Sequence, residues 1–224
     1  THAHPSPLRC VVVEASIQGE RASMSLRLSF ENTERQPIEA LHYFALAPGG
    51  RVTALRVARG EQEAVGAWCE DPVDAFDRYD DALEAGHVAA LWEVRGDVMA
   101  LSVGVLGVGE SVEVHLSAVA PLRQGEGGWC WGWFTQPAAV SGVPEEQRPA
   151  RVSTPPFECQ VEASWEVPGG FKALGCDTHP FQVQVQEDRV TVSLVSDERM
   201  LARDVRVCLT PNELGLEPEA LSSG

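Results

Sequence analysis

The sequence has few basic side chains and no long apolar run, and both absences restrict what the chain can bind. Lys and Arg number 17 against 33 Asp and Glu, which gives a net charge of −16 over 224 residues. A surface this acidic repels phosphate backbones and anionic lipids, so we expect no nucleic-acid partner. No segment has the roughly 18 apolar residues that span a bilayer, so we expect no membrane insertion.

Motifs for catalysis are missing as well. The sequence contains no H-E-x-x-H helix, no nucleophile elbow and no phosphate-binding glycine loop. Cys176 and His179 form a Cys-x-x-His pair, but zinc needs two further ligands and no second pair has matching spacing. Cys159 would approach them only if the strands at 157–167 and 171–175 pair. We therefore expect no metal, no cofactor and no enzymatic activity.

Cysteine is present but not in the dense arrangement of a small secreted domain. The chain has six cysteines, which are widely separated and mostly lie inside apolar patterns. This pattern favours buried free thiols over a disulfide framework. No signal peptide is visible at the N-terminus. We expect a cytoplasmic protein, or a secreted one if an upstream signal peptide was removed.

The pattern that remains is mainly that of β-strands. Residues 22–30 alternate between apolar and polar side chains, which is the period of a half-buried strand, and similar segments recur along the chain. One helix is predicted at 72–85, because Asp71 is a suitable N-cap, proline follows it and Gly86 is a stop signal. Residues 123–128 are predicted to be a flexible connection.

Three sequence elements resemble one known family. They are Phe30, Asn32, Pro37, Glu39 and Ala40 in the first element, Ala75, Tyr79, Ala82, Gly86 and Glu93 in the second, and 101–104 with 109–112 in the third. Their order and spacing are similar to those of the VIT domain (vault protein inter-alpha-trypsin domain). Ala45 departs from the family pattern, which has proline there.

The resemblance implies an all-β fold, an antiparallel β-sandwich-like domain with one packed helix. We expect this domain at 8–134, a proline-rich linker or strap at 135–156, a smaller second β region packed on the first at 157–210, and a flexible tail at 211–224. In the family a von Willebrand A domain usually follows. The chain is therefore expected to be the N-terminal part of such a protein, and a non-catalytic protein–protein interaction or scaffold module.

Two surfaces are candidates for binding another protein or the following von Willebrand A domain. Trp129, Trp131 and Trp133 would project from one face of a strand, and an exposed face would suit a protein or, alternatively, a carbohydrate. Burial at the join of the two β regions is the competing interpretation, and we favour it. The second candidate is an acidic helix face, for which a merely solvated surface is the simpler explanation; its residues are Asp77, Asp81 and Glu84.

Overall fold

A computed structural model describes residues 7–66, 71–95, 98–125, 128–133, 157–195 and 204–212. Within these residues there are fifteen strands and one helix. The strands are β1 Leu8–Gln18, β2 Arg21–Glu31, β3 Ile38–Phe44, β4 Arg51–Arg59, β5 Gln62–Val65, β6 Ala90–Arg95, β7 Val98–Leu106, β8 Ser111–Pro121, β9 Arg123–Gly125, β10 Gly128–Trp133, β11 Glu158–Glu166, β12 Phe171–Cys176, β13 Phe181–Gln186, β14 Arg189–Leu194 and β15 Val205–Pro211, and the helix is α1 Pro72–Glu84.

The largest element is an eight-stranded sheet with the order β13-β14-β11-β1-β2-β8-β4-β5. Its long strands show the alternation that the sequence predicts, because every second side chain of β2 is buried. Neighbouring strands run antiparallel except β1 and β11, which are parallel and pair from Cys10 with Glu158 to Ile17 with Trp165. Strands from the start and from the last third of the chain therefore lie side by side in one sheet.

Two smaller sheets accompany the large one. The order is β12-β15-β10-β9 in the four-stranded sheet and β3-β7-β6 in the three-stranded sheet. One apolar core joins the inner faces of all three, with Leu26 and Leu116 from the large sheet, Leu101 from β7 and Trp131 from β10. The three-stranded sheet is buried on both faces, since Tyr43, Val98 and Ala100 form a second cluster. The fold is thus layered, as a β-sandwich requires.

The expected all-β class with a single packed helix is confirmed for the described residues. Residues 123–125 correct one expectation, because they form β9 and pair with β10 instead of a flexible connection. The domain division stays a prediction: β11, β13 and β14 extend the eight-stranded sheet, while the expected linker at 135–156 and most of the tail lie outside the described residues. No helix in the described part is long and apolar enough to span a bilayer.

Candidate functional site

Helix α1 begins as its sequence predicts. The Asp71 carboxylate accepts a hydrogen bond from the Val73 amide at 2.8 Å, which satisfies one of the free N–H groups of the first turn. Tyr79 is the buried residue of the helix, and Ala75 and Ala82 beside it are half-buried. Gly86 follows the helix with a φ of 75°, a conformation that glycine adopts at little cost.

Tyr79 connects two of the family-like elements. Its hydroxyl donates a hydrogen bond of 2.8 Å to the carboxylate of Glu39 on β3. Burial, the hydrogen bond and the negative charge of Glu39 all raise the pKa of Tyr79 well above its usual value. The hydroxyl therefore stays protonated, and the bond fixes α1 to the outer face of the three-stranded sheet. Sequence alone could not pair Tyr79 with Glu39, because forty residues separate them.

Gly104 of β7 allows the helix to lie close to this sheet. A Cβ atom there would overlap the end of the Leu83 side chain, and the Gly104 amide donates to the Ala89 carbonyl at 2.9 Å. The third sequence element thus has a packing role, since its glycine leaves room for the helix.

Asn32 has a structural role that its place in a polar turn does not reveal. It is fully buried, and its side-chain amide donates to the carbonyls of Gln36 and Leu106, each at 2.9 Å. Its side-chain oxygen accepts from the Glu34 amide at 2.8 Å. These bonds connect the turn after β2 to the end of β7. Phe30 and Ala40, from the same element, are buried in the core, whereas Pro37 is exposed.

An open groove of about 510 Å³ lies between α1 and two strand edges. Its walls are mostly small and apolar, including Leu55 and Val57 of β4, Ala75 and Ala82 of the helix, and Val65 of β5. Consecutive residues 88–94 all border it, as do 64–66. Since successive side chains of a strand point in opposite directions, this pattern means that the groove follows the edges of β5 and β6.

Charged groups are sparse in the groove and dense on the far side of the helix. Among its lining residues, Arg78 and Glu93 carry charge. The predicted acidic residues Asp77, Asp81 and Glu84 are all exposed. At 100° per residue, Asp77 and Glu84 lie about 140–180° and Asp81 about 100–120° from Ala75 and Ala82, which line the groove. The acidic face and the groove are therefore separate surfaces.

The tryptophan face is not an exposed surface. Trp131 and Trp133 are 2% and 5% exposed and belong to the main core, while Trp129 is half-buried against it. Two of the three candidate anchors are therefore inaccessible to a partner, and the exposed-face interpretation of Trp131 and Trp133 is wrong. The physical reason is that β10, which pairs with β15 along this stretch, packs its aromatic face into the core shared with the large sheet. The carbohydrate alternative is not supported.

The cysteines also require a correction. Cys130 and Cys208 are directly opposite one another in β10 and β15 and form a disulfide, so the expectation of free thiols is wrong for these two. Cys10, Cys159 and Cys176 are free. Burial raises the pKa of Cys159 to about 12, so this thiol stays protonated at neutral pH.

The Cys176–His179 pair is held by neighbouring side chains. The Thr178 hydroxyl lies 2.9 Å from Nδ1 of His179 and 3.4 Å from Sγ of Cys176. Strand β12 pairs with β15 and β11 pairs with β14, so Cys159 is not brought to this pair by strand pairing. Over the described ranges, no three His, Cys, Asp or Glu residues are grouped as a metal site would need.

Comparisons with known proteins give the family. The model of the VIT family, the Vault protein inter-alpha-trypsin domain, matches residues 8–118. Among similar proteins, von Willebrand factor A domain-containing protein 5A of Rattus norvegicus is 33% identical over 119 residues, which are 52% of this chain and 14% of that protein. The Homo sapiens protein of the same name is 31% identical over 124 residues, 54% of this chain and 16% of its own length.

Two solved structures are similar to this chain at low sequence identity. A candidate nutrient-binding protein of Legionella pneumophila matches with a TM-score of 0.54 and 8% identity, over 93% of this chain and 68% of its own. An M1 zinc metallopeptidase of Deinococcus radiodurans matches with a TM-score of 0.48 and 12% identity, over 90% of this chain and 42% of its own. The first match shows a similar fold and nothing about function. The TM-score of the second match is too low to show a shared fold.

The three sequence elements that resemble the VIT domain all lie within residues 8–118, the segment that the family model matches. Phe30, Asn32, Glu39, Tyr79 and Gly104 all lie within it, and their contacts hold β2, β3, β7 and α1 together. The matched segment covers about one seventh of the length of the curated relatives. Residues 8–118 of this chain are a VIT domain, and this part of the protein belongs to the VIT family.

Proposed function

We propose that the chain is a non-catalytic protein-interaction module, the N-terminal part of a protein that combines VIT and von Willebrand A domains. The similar proteins carry the von Willebrand A domain in their names and extend far beyond the matched segment, which supports this architecture. The partner would be another protein, or a following von Willebrand A domain of the same chain.

The groove between β5, α1 and β6 is the observation that carries this proposal. Strands β5 and β6 are the outer strands of their sheets among the described residues, and both border the groove with consecutive residues. Free strand edges offer backbone N–H and C=O groups that an extended segment can pair with. The groove volume, about 510 Å³, and its small apolar side chains suit alternate residues of such a segment.

The proposed occupant is an extended segment with apolar side chains at every second position. Val65 and Val94 border the groove and are 74% and 59% exposed, so contact with apolar side chains would remove them from water. The hydroxyl of Tyr79 is already committed to Glu39 and is not available to react with a ligand. Binding here would depend on apolar burial and backbone pairing, and would change little with salt.

The acidic helix face is a second surface for a partner, and it has a different signature. Asp77, Asp81 and Glu84 are exposed carboxylates on a chain of net charge −16. A basic partner would be attracted over a distance comparable to the Debye length, so association would slow as salt increases. The triple change Asp77→Asn, Asp81→Asn and Glu84→Gln would then slow binding without touching the groove.

Site-specific photocrosslinking tests the groove. The photoreactive residue p-benzoylphenylalanine is placed at Val65, at Val94 or, as the matched control, at Val108, which is 61% exposed on a turn. Each full-length variant is irradiated in an extract of the cells that make the protein, and adducts are identified by mass spectrometry. We expect the same partner, through the same peptide, at positions 65 and 94 and not at 108.

Three other results would each contradict the proposal or redirect it. Equal adducts at all three positions would show non-specific contact and overturn the groove as the site. Adducts that vanish with the acidic-face triple variant would move the site to the far side of α1. Adducts within the chain itself would show that a segment of this chain, and not a separate protein, occupies the groove.

The cellular compartment of the protein is a proposal, and the cysteines give evidence in two directions. The free Cys10, Cys159 and Cys176 support the reducing cytoplasm, while the Cys130–Cys208 disulfide supports an oxidising compartment. We propose the cytoplasm, and alkylation of the protein in intact cells before mass spectrometry tests it. Modification of Cys130 and Cys208 would support a reducing environment, whereas recovery of the linked peptides would overturn it.

A further inference from the structure

Strand β13 forms one outer edge of the eight-stranded sheet, and its sequence reads the same in both directions. The five residues are Gln182, Val183, Gln184, Val185 and Gln186, with Gln184 at the centre. All five are exposed and none is charged. An uncharged stretch on the surface of a chain with net charge −16 is unusual, and a sequence symmetric about one residue is compatible with a two-fold axis.

The edge is regular and open. Strand β13 pairs with β14 over six consecutive residues without a register shift, and among the described residues no strand pairs with its other side. Proteins usually block such edges with charge, proline or a bulge. The opposite edge of the same sheet differs from β13, since β5 is only four residues long and carries a charge, Glu63, which forms an ion pair with Arg56 at 3.4 Å.

An apolar stripe leads from the core to this edge. Val183 and Val185 are paired in register with the buried Val192 and Val190 of β14, so they lie on the same face of the sheet. They are nevertheless 42% and 58% exposed, because nothing in the described residues covers them from the side. A further strand carrying valines at the same positions would continue the core face and remove this surface from water.

We propose that two copies of this chain associate through β13, antiparallel, about a two-fold axis at Gln184. In this register Val183 faces Val185 of the second copy, Gln182 faces Gln186 and Gln184 faces itself. A closed dimer needs a surface that is complementary to itself, and the symmetric sequence gives each copy the same pairs. The two eight-stranded sheets would become one continuous sheet of sixteen strands.

The backbone of β13 fits this register. The Pro180 carbonyl accepts from the Val195 amide at 3.1 Å, so the even-numbered residues direct their backbone groups towards β14. Alternation then directs the N–H and C=O groups of Val183 and Val185 outward. With the axis at Gln184, these residues form the hydrogen-bonded pairs across the interface, which gives four backbone hydrogen bonds. If the register shifted by one residue, each outward-directed residue would face an even-numbered residue of the second copy. The N–H and C=O groups of that even-numbered residue already point towards β14, so the pair could not form its hydrogen bonds.

Charge repulsion between two copies favours β13 over other surfaces as the site of self-association. Two chains of net charge −16 repel one another, so contact is least unfavourable where carboxylates are absent. The nearest acidic side chains, Glu187 and Asp188, lie in the turn outside the five-residue sequence. Added salt should therefore strengthen self-association, because it screens the repulsion. The opposite is expected for a basic partner at the acidic helix face.

Sedimentation velocity of the 224-residue chain at about 1 to 100 μM tests the dimer. We expect a concentration-dependent shift from monomer to dimer, shifted to lower concentration by 0.5 M salt. The variant Val183→Lys with Val185→Lys should remain a monomer throughout, since lysines would face one another across the axis. Val108→Lys, at a turn valine that is 61% exposed, should dimerise as the wild type does. A wild-type monomer at every concentration, or a dimer that ignores the β13 lysines, would overturn the proposal.

Cysteine crosslinking tests the register independently of affinity. At a non-hydrogen-bonded pair the two Cα atoms are about 4.5 Å apart, within the range of a disulfide. Gln184→Cys should therefore form a covalent dimer under a mild thiol oxidant. Gln182→Cys alone should not, but a mixture of Gln182→Cys and Gln186→Cys should crosslink. Efficient crosslinking of Gln182→Cys alone, or none with Gln184→Cys beyond the wild-type background, would exclude this register.

Discussion

The four-stranded sheet and the groove beside α1 use apolar side chains in opposite ways. In the first, Trp131 and Trp133 are covered on β10, and a disulfide joins β10 to β15. In the second, small side chains such as Ala75, Ala82 and Val65 leave about 510 Å³ open between two strand edges. Tryptophan therefore does not mark the accessible surface in the four-stranded sheet, whereas alanine and valine make up most of the apolar lining of the groove.

Among the substitutions considered, removing a core tryptophan of the four-stranded sheet should reduce stability the most. We expect Trp131→Ala to lower the free energy of unfolding by about 4 kcal/mol, because the ring is 2% exposed and its loss leaves a cavity. Urea denaturation measures this change. Trp129→Ala is the matched control, since this ring is half-buried and should cost less. Equal losses of unfolding free energy for the two variants would mean that Trp131 contributes no more to stability than Trp129 does.

Breaking the disulfide should come next. Cys130 and Cys208 are 78 residues apart, so their bond restricts a large loop in the unfolded chain. The double variant Cys130→Ser with Cys208→Ser should be less stable by about 3 kcal/mol. The same loss should follow treatment of the wild type with dithiothreitol, and thiol titration before and after reduction checks the bond itself. A reductant that leaves both stability and the thiol count unchanged would show that these cysteines are not linked.

A single methyl group on Gly128 should disturb the same sheet. Gly128 has a φ of 95°, and a Cβ atom there would press on the backbone of Leu209 and Thr210 in β15. We expect Gly128→Ala to cost about 2 kcal/mol. Gly175→Ala, in β12 on the other side of β15, is the control because nothing lies within 4 Å of its Cβ position. Melting temperatures that fall equally in both variants would argue against a close approach at Gly128.

The smallest expected loss of stability concerns the groove, where a hydrogen bond joins α1 to β3. Tyr79→Phe keeps the buried ring and removes the hydroxyl that donates to Glu39. We expect a loss of about 1 kcal/mol, since one hydrogen bond to a partly exposed carboxylate disappears. Glu39→Gln keeps an acceptor at the same place and should cost less than Tyr79→Phe. If Tyr79→Phe is neutral, the hydroxyl bond does not hold the helix, and the wall of the groove depends on ring packing alone.

The strands and the helix of this fold could be predicted because their causes are local. Alternation in β2 and the cap at Asp71 are both visible in a window of about ten residues. Contacts between distant residues could not be predicted in this way. The Tyr79–Glu39 bond, the burial of Asn32 and the parallel pairing of β1 with β11 each depend on which segments meet in space.

The candidate site was only partly visible for the same reason. Three alternating tryptophans indicate a strand with an aromatic face, but whether that face is covered depends on a sheet formed elsewhere in the chain. The groove includes Ala75, Tyr79 and Ala82 of the second sequence element, but this pattern indicates only a packed helix, because alanine and valine are common core residues and the absence of a covering neighbour is not encoded locally. A free strand edge is a property of the sheet order, and no local pattern encodes it.

The parallel pairing of β1 with β11 has a consequence for the time course of folding. Gln18 at the end of β1 is hydrogen-bonded to Glu166 at the end of β11, and 148 residues separate them. During synthesis at roughly 5 to 20 residues per second, the edge of β1 that pairs with β11 stays unpaired for about 7 to 30 seconds. Closing so large a loop is also slow in an intact chain. The protein should therefore refold in a late phase when β11 docks.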